Sequence, residues 1–149
     1  MGLNIADLAI TTDAFEANGR IPDRFTVDGG NEQPRLSVHG VPADAVELAI
    51  VVHDPDAPLP HGYTHWAVYG LPAQSGDVDP GAGRQARNSA GDAAWMGPQP
   101  PVGHGDHRYY FWVYALSRAV DGEPGREEFL DAYADAIIEQ NRVVGTFSR

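Results

Sequence analysis

The chain has 149 residues, no cysteine, ten arginines without one lysine, and a formal net charge of −11. That charge repels phosphate backbones and anionic membrane surfaces, which argues against general nucleic-acid binding. The missing cysteine rules out thiol nucleophiles, disulfides and thiolate-held zinc. The length suits one domain, 1–149, able to bury about two-thirds of its unfolded surface. Asp7 interrupts the N-terminal stretch where a secretion signal needs an apolar core, and no run reaches membrane-spanning length. A cytoplasmic protein with no stable membrane anchor is the expectation.

In chain order, Leu8 to Thr12 reads as an edge-like strand, and Arg20 to Val27 as a short extended piece closed by the turn Asp28-Gly29-Gly30-Asn31. Leu36 to Val38 is another short strand. The apolar run Leu48 to Val52 enters Asp54-Pro55-Asp56-Ala57-Pro58, and Thr64 to Tyr69 again reads as a buried strand. Residues 73–94 are poor in large apolar side chains and read as a long surface loop. A Pro/Gly loop from Trp95 precedes the longest strand, His107 to Ser117, in which His107, Tyr109, Phe111 and Val113 share one face. One helix is expected from Arg126 to about Gln140, with Phe129, Leu130, Tyr133, Ala136, Ile137 and Ile138 as its apolar stripe, and a last strand from Val143 to Phe147. Short strands, twelve prolines and one late helix indicate a mainly β protein, an antiparallel sandwich rather than a βαβ fold.

Several chemistries find no footing. The five serines lie outside any nucleophile elbow, and there is no P-loop, no G-x-G-x-x-G and no H-E-x-x-H. His61 and His65 have metal-binding spacing only on a helix, which Pro58, Pro60 and Gly62 oppose. His104 and His107, with the two aspartates, are a second metal combination that nothing else supports, so no metal or cofactor is expected.

What remains is convergence. Pro55 and Pro58 keep the aspartate segment extended, and period-two geometry then turns Asp54 and Asp56 to the same side. His65 follows on the next strand, and His107 and Tyr109 share a face where the longest strand begins. Neighbouring strands would gather these groups at one small cavity. Ala57-Pro58 is a candidate cis bond at the reversal. The bland alternative is satisfied core histidines and a turn-forming Asp-Pro-Asp.

These residues also fall into a familiar pattern. Ile21-Pro22 with Phe25-Thr26 and Asp28-Gly29, Leu36-Ser37, Gly40-Val41-Pro42, the intact D-P-D-A-P at Asp54 to Pro58, His65-Trp66, Gly97-Pro98 with Pro100-Pro101, His107-Arg108-Tyr109, and Val144-Gly145-Thr146-Phe147 with Arg149 together resemble the phosphatidylethanolamine-binding protein family. The resemblance is to its compact bacterial and archaeal form, related to Raf kinase inhibitor protein. It implies a β-sandwich-like fold with a small anion pocket at Asp54, Asp56, His65, Pro98, His107 and Tyr109, taking phosphate-like, carboxylate-like or phosphorylethanolamine groups. It also implies a homodimer as one assembly state. Departures are Val38 for a usual Trp, Gln99 where bacterial relatives often carry Cys, and Trp95 for a frequent Tyr. The chain also stops after the last strand, without the C-terminal helix of animal members.

Physically, an aspartate beside a protonated imidazole can present a donor to a phosphate oxygen, and histidine's ordinary pKa near 6.5 makes that state accessible. Tyr109 adds a hydroxyl, the Gly97–Gly103 backbone further N–H groups, and either aspartate an acceptor for a ligand ammonium. The expected function is therefore a regulatory binding module for small anionic or zwitterionic ligands. The alternatives are a protease or kinase inhibitor acting through its surface, with the acidic 73–94 loop as contact, and an acid–base hydrolase using the aspartate pair.

Overall fold

The computed structural model describes residues 4–149. Its strands are β1 (Ala9–Thr11), β2 (Ser37–His39), β3 (Glu47–Asp54), β4 (Tyr63–Leu71), β5 (Gly76–Asp77), β6 (Arg84–Gln85), β7 (His107–Leu116) and β8 (Ile137–Phe147), with one α-helix, α1 (Arg126–Tyr133), and three single-turn 3-10 segments. A small sheet has the order β1-β2-β5 and a large one the order β6-β4-β3-β7-β8. The paired strands within both sheets run antiparallel. The protein is thus mainly β, as its short β-branched and aromatic runs imply.

The large sheet is covered on both faces. Leu48, Ile50 and Val52 of β3, Trp66 and Val68 of β4, and Tyr109, Phe111 and Val113 of β7 pack against Ile10 and Val38 of the small sheet and against Leu8, Ile21 and Phe25. Residues of opposite parity, Ala49, Val51, Ala67, Tyr69 and Tyr114, pack on the other face against Phe129 of α1. Every residue of β3 is buried, which explains why its sequence is a continuous apolar run rather than an alternating one.

The C-terminal third departs from expectation. Helix α1 begins at Arg126 as anticipated, with Gly125 as its N-cap and Glu127 and Glu128 in its first turn, but it ends at Tyr133. One 3-10 turn follows, and Ile137 opens β8. Ile137 and Ile138 fit a helical stripe, yet they also fit a strand, and β8 gains a ladder along the full length of β7, from His107–Phe147 to Leu116–Ile137. The backbone hydrogen bonds of that ladder outweigh a weak helical preference. The 73–94 segment is less irregular than expected, since β5 and β6 add short rungs to the two sheets and Ala86 and Asn88 are buried. All peptide bonds among the described residues are trans, Ala57-Pro58 included.

Candidate functional site

The site forms where β3, β4 and β7 leave the core at one end of the large sheet. β3 ends at Asp54, one step past the pair His53–Tyr110, so Asp54 lies level with Tyr109 on the inner face. Each oxygen of its buried carboxylate accepts one hydrogen bond. Oδ2 accepts from His107 Nδ1–H at 2.6 Å, and Oδ1 accepts from the Asp56 backbone N–H at 2.7 Å. Asp54 and His107 are each 2% exposed, so this is a desolvated, charge-assisted contact.

His65 reaches the same place through an irregularity. Strict alternation would put it opposite Trp66, on the outer face. Between the pairs Val52–Trp66 and His53–Thr64, however, β4 carries one extra residue, and that residue is His65. Such a bulge re-aims the local side chains. His65 turns inward, its ring 4.9 Å from that of Tyr63 and 5.2 Å from that of Tyr109. Its Nδ1–H donates to the Met96 carbonyl at 2.6 Å, which fixes the tautomer. Burial holds its pKa below the ordinary histidine value, against the opposing pull of the Met96 carbonyl and the Asp54 charge.

The same bulge turns Thr64 to the outer face, where its hydroxyl meets His53 Nδ1 at 3.0 Å. Burial is the main reason the His53 pKa falls to about 4, with the nearby Arg126 charge contributing. A base depressed in the folded state binds fewer protons than in the unfolded chain. Its contribution to stability is therefore complete above about 6.5 and is lost as the pH falls towards about 4. After allowance for solvent screening this is on the order of 2 kcal/mol. Urea denaturation at pH 7 and pH 4.5 should show His53→Asn losing less stability than the parent on acidification; equal losses would refute the assignment.

Asp56 does not join the pocket. The strand ends at Asp54, and residues 55–57 turn, so the period-two argument fails one residue too late. Instead the Asp56 carboxylate accepts from the Arg108 backbone N–H at 2.8 Å and from its guanidinium at 3.0 and 3.1 Å. Hydrogen bonding to Arg108 holds the Asp56 carboxyl below its usual range. Asp56 thus pins the 55–58 turn to β7 and does not line the pocket. Pro98 is buried too, but its carbonyl accepts from Val27 N–H at 3.1 Å, and it does not line the pocket.

The pocket measures about 260 Å³ and is bounded by Asp54, His65, His107 and Tyr109 at its polar end and by Ala57, Pro58, Leu59, Pro100 and Pro101 elsewhere. The Tyr109 hydroxyl is buried without a hydrogen-bond partner among the described residues. Burial, reinforced by the charge of Asp54, raises its pKa, so the group remains a protonated donor. A larger, more open hollow of about 860 Å³ lies between residues 10–18 and Arg142–Val144, but among the described residues none with a buried unpartnered polar atom lines it.

Sequence reasoning missed the parts that hold this pocket. Met96 exchanges hydrogen bonds with His65, its N–H donating to the His65 carbonyl at 3.1 Å. Asn31, in the Asp28–Asn31 turn, accepts from Gly97 N–H at 2.6 Å and donates to the Trp95 carbonyl at 3.2 Å. Arg149 donates to the Pro100 carbonyl at 2.6 Å and pairs with Asp28 at 2.7 Å. Two of the expected backbone donors of the loop are spent, Gly97 N–H on Asn31 and Gly103 N–H on the Arg149 carbonyl. His61 is exposed in the turn before β4, away from any helix, and among the described residues no cluster of three His, Asp or Glu is placed to hold a metal ion.

Comparison with known proteins agrees with this architecture. A profile of the phosphatidylethanolamine-binding protein family matches residues 11–148. The UPF0098 protein of Methanothermobacter thermautotrophicus is 39% identical over 151 residues, covering 94% of this chain and 98% of that one. Among solved structures, the homolog CT736 from Chlamydia trachomatis is 32% identical with a TM-score of 0.86, covering 98% of this chain and 99% of its own. YbcL from Escherichia coli, described as a member of the mammalian PEBP family, is 26% identical with a TM-score of 0.87 and covers 97% of this chain and 99% of its own. Sequence, topology and extent agree, and the chain belongs to the phosphatidylethanolamine-binding protein family.

Proposed function

We propose that this protein is a binding module for a small oxyanion, a phosphate or carboxylate group, received at the polar end of the pocket. The observation that carries the reading is the Tyr109 hydroxyl, a buried donor without a partner among the described residues, on a side chain that lines a cavity shared with His107. Leaving such a group unpaired costs about 1–3 kcal/mol, and an anionic oxygen would recover that cost. A carboxylate in the wall is no obstacle, because Asp54 already accepts from His107 and Asp56. What it presents to a ligand is an oriented imidazole rather than a bare charge.

The apolar remainder suits a headgroup attached to a short carbon linker. Asp56 is committed to Arg108, so a ligand ammonium would find its acceptor at Asp54 or at the exposed Gln99 side chain. Calorimetry with inorganic phosphate and O-phosphorylethanolamine at pH 6 tests the reading. Tyr109→Phe should weaken binding by roughly tenfold to a hundredfold, the worth of one hydrogen bond to a charged group. Its stability should stay level or rise, since no protein contact of the hydroxyl is lost. Undiminished binding by the variant would sink the proposal.

A further inference from the structure

The far nitrogen of the site's imidazole is already taken. His107 Nε2 lies 2.6 Å from Nδ1 of His104, with the two rings 4.8 Å apart, so Asp54, His107 and His104 form one continuous hydrogen-bonded chain. Asp54 and His107 are buried, whereas His104 is exposed and is not part of the pocket wall. His104 stands between two glycines in the left-handed region, Gly103 at φ +76 and Gly105 at φ +88. A Cβ at either would meet nothing within 4 Å, so glycine serves the backbone conformation there rather than close packing. The backbone is thereby bent to lay an exposed side chain over a buried one.

We infer that His104 is an internal competitor for the pocket: its imidazole holds the position at His107 Nε2 that a ligand oxyanion takes, and binding exchanges one for the other. This rests on the oxyanion reading above. The exchange needs little motion, because an exposed histidine changes rotamer within nanoseconds.

The proton balance constrains the ligand. The Asp54 carboxylate only accepts, so the His107 proton on that side sits at Nδ1. In the neutral ring Nε2 is then a lone pair, and His104 supplies the shared proton from Nδ1. An oxyanion is an acceptor and cannot replace that donor unless a proton arrives as well. The proton comes either on the ligand, as a P–OH donating to Nε2, or from solution, as an Nε2–H donating to the ligand oxygen. A monoanionic phosphate therefore binds without net proton exchange, while a dianion takes up one proton.

The other titratable and charged groups around the pair are Asp54 from β3, Asp56 from the turn, Tyr63 and His65 from β4, Arg108 and Tyr109 from β7, Asp106 on the loop itself, and Arg149 at the C-terminus. Tyr109 is held protonated, Asp56 ionised and His65 neutral by their surroundings. By residue type, only imidazoles change charge near neutral pH.

The test compares the parent with His104→Ala, using inorganic phosphate and O-phosphorylethanolamine in buffers of differing ionisation heat at pH 6 and pH 8. Removing the competitor should tighten both probes by roughly fivefold to tenfold, the worth of one hydrogen bond. Proton uptake at pH 8 should approach one per ligand in both proteins, because phosphomonoesters are dianionic well above their second pKa of about 6. Unchanged or weaker binding of His104→Ala, with the parent still binding, overturns the competitor while leaving the oxyanion reading intact. A gain confined to O-phosphorylethanolamine would place the effect at the ammonium and also overturn it. Absence of binding in both proteins overturns the oxyanion reading itself, and binding by the variant alone supports the competitor most directly.

Discussion

Asp54→Asn is expected to cost about 2–3 kcal/mol of stability and to weaken phosphate binding on the order of thirtyfold to a hundredfold. The stability loss follows from counting acceptors. Asp54 satisfies two donors, His107 Nδ1–H and Asp56 N–H, with separate oxygens, and its side chain is desolvated. Asparagine offers one carbonyl, so one buried N–H must lose its partner or face an NH₂ group. Removing a negative charge near a bound anion would by itself favour binding, and magnitudes decide between the effects. At an effective dielectric constant near 20, opposite charges about 3 Å apart attract by roughly 5 kcal/mol, while like charges about 6 Å apart repel by roughly 3 kcal/mol. For a dianionic ligand, which brings a proton onto the His107 ring, losing that oriented ring therefore outweighs losing the repulsion. Asp56→Asn provides the contrast. Its partner Arg108 has a side chain 58% exposed, and breaking such a pair changes stability by less than about 1 kcal/mol. Urea denaturation and calorimetry on both variants separate the roles. Equal damage from both would mean that the two carboxylates serve the pocket alike.

The difference between those aspartates also marks how far the sequence could be read. Alternation placed His107 and Tyr109 on one face of β7, and it succeeded because β7 is regular from its first residue. The same rule carried past Asp54 failed, because the ladder stops there and the chain turns. His65 reached the pocket for a reason alternation would deny, a bulge that only the β3–β4 register reveals. The C-terminal helix was drawn too long because Ile137 and Ile138 satisfy both periods, and the choice between them depends on a strand more than twenty residues upstream.

The supporting contacts were out of reach for a related reason. Asn31 and Gly97, or Asp28 and Arg149, are separated by 66 and 121 residues, and no local pattern connects them. Once the fold brings them together, the scattered motifs acquire a common physical purpose. The Asp28–Asn31 turn grips the start of the proline loop through Asn31, and the C-terminal Arg149 grips its end through the Pro100 carbonyl. Three prolines remove backbone donors from that loop, so its position depends on the few hydrogen bonds that remain. The polar groups of the pocket stand on strands, whereas one apolar wall stands on a clamped loop.

Gly97→Ala should therefore damage the pocket without touching it. Gly97 lacks the positive φ that usually demands glycine; the constraint is space. A Cβ there would lie 2.0 Å from the Phe25 carbonyl oxygen, a distance that real side chains do not tolerate against backbone, and a tight 3.0 Å from Asn31 Oδ1. The loop must move by an ångström or more. That displacement strains the hydrogen bonds from Asn31 to residues 95 and 97, the Val27–Pro98 bond, and the Met96 carbonyl that fixes His65. Losing two or three such bonds amounts to about 3 kcal/mol, with phosphate affinity falling at least tenfold as His65 and the proline wall shift. Gly105→Ala is the matched control. It meets nothing within 4 Å and bears only the strain of φ +88, about 1–2 kcal/mol. If denaturation found Gly97→Ala no less stable than Gly105→Ala, the proline loop could not be the rigid wall on which the pocket's geometry depends.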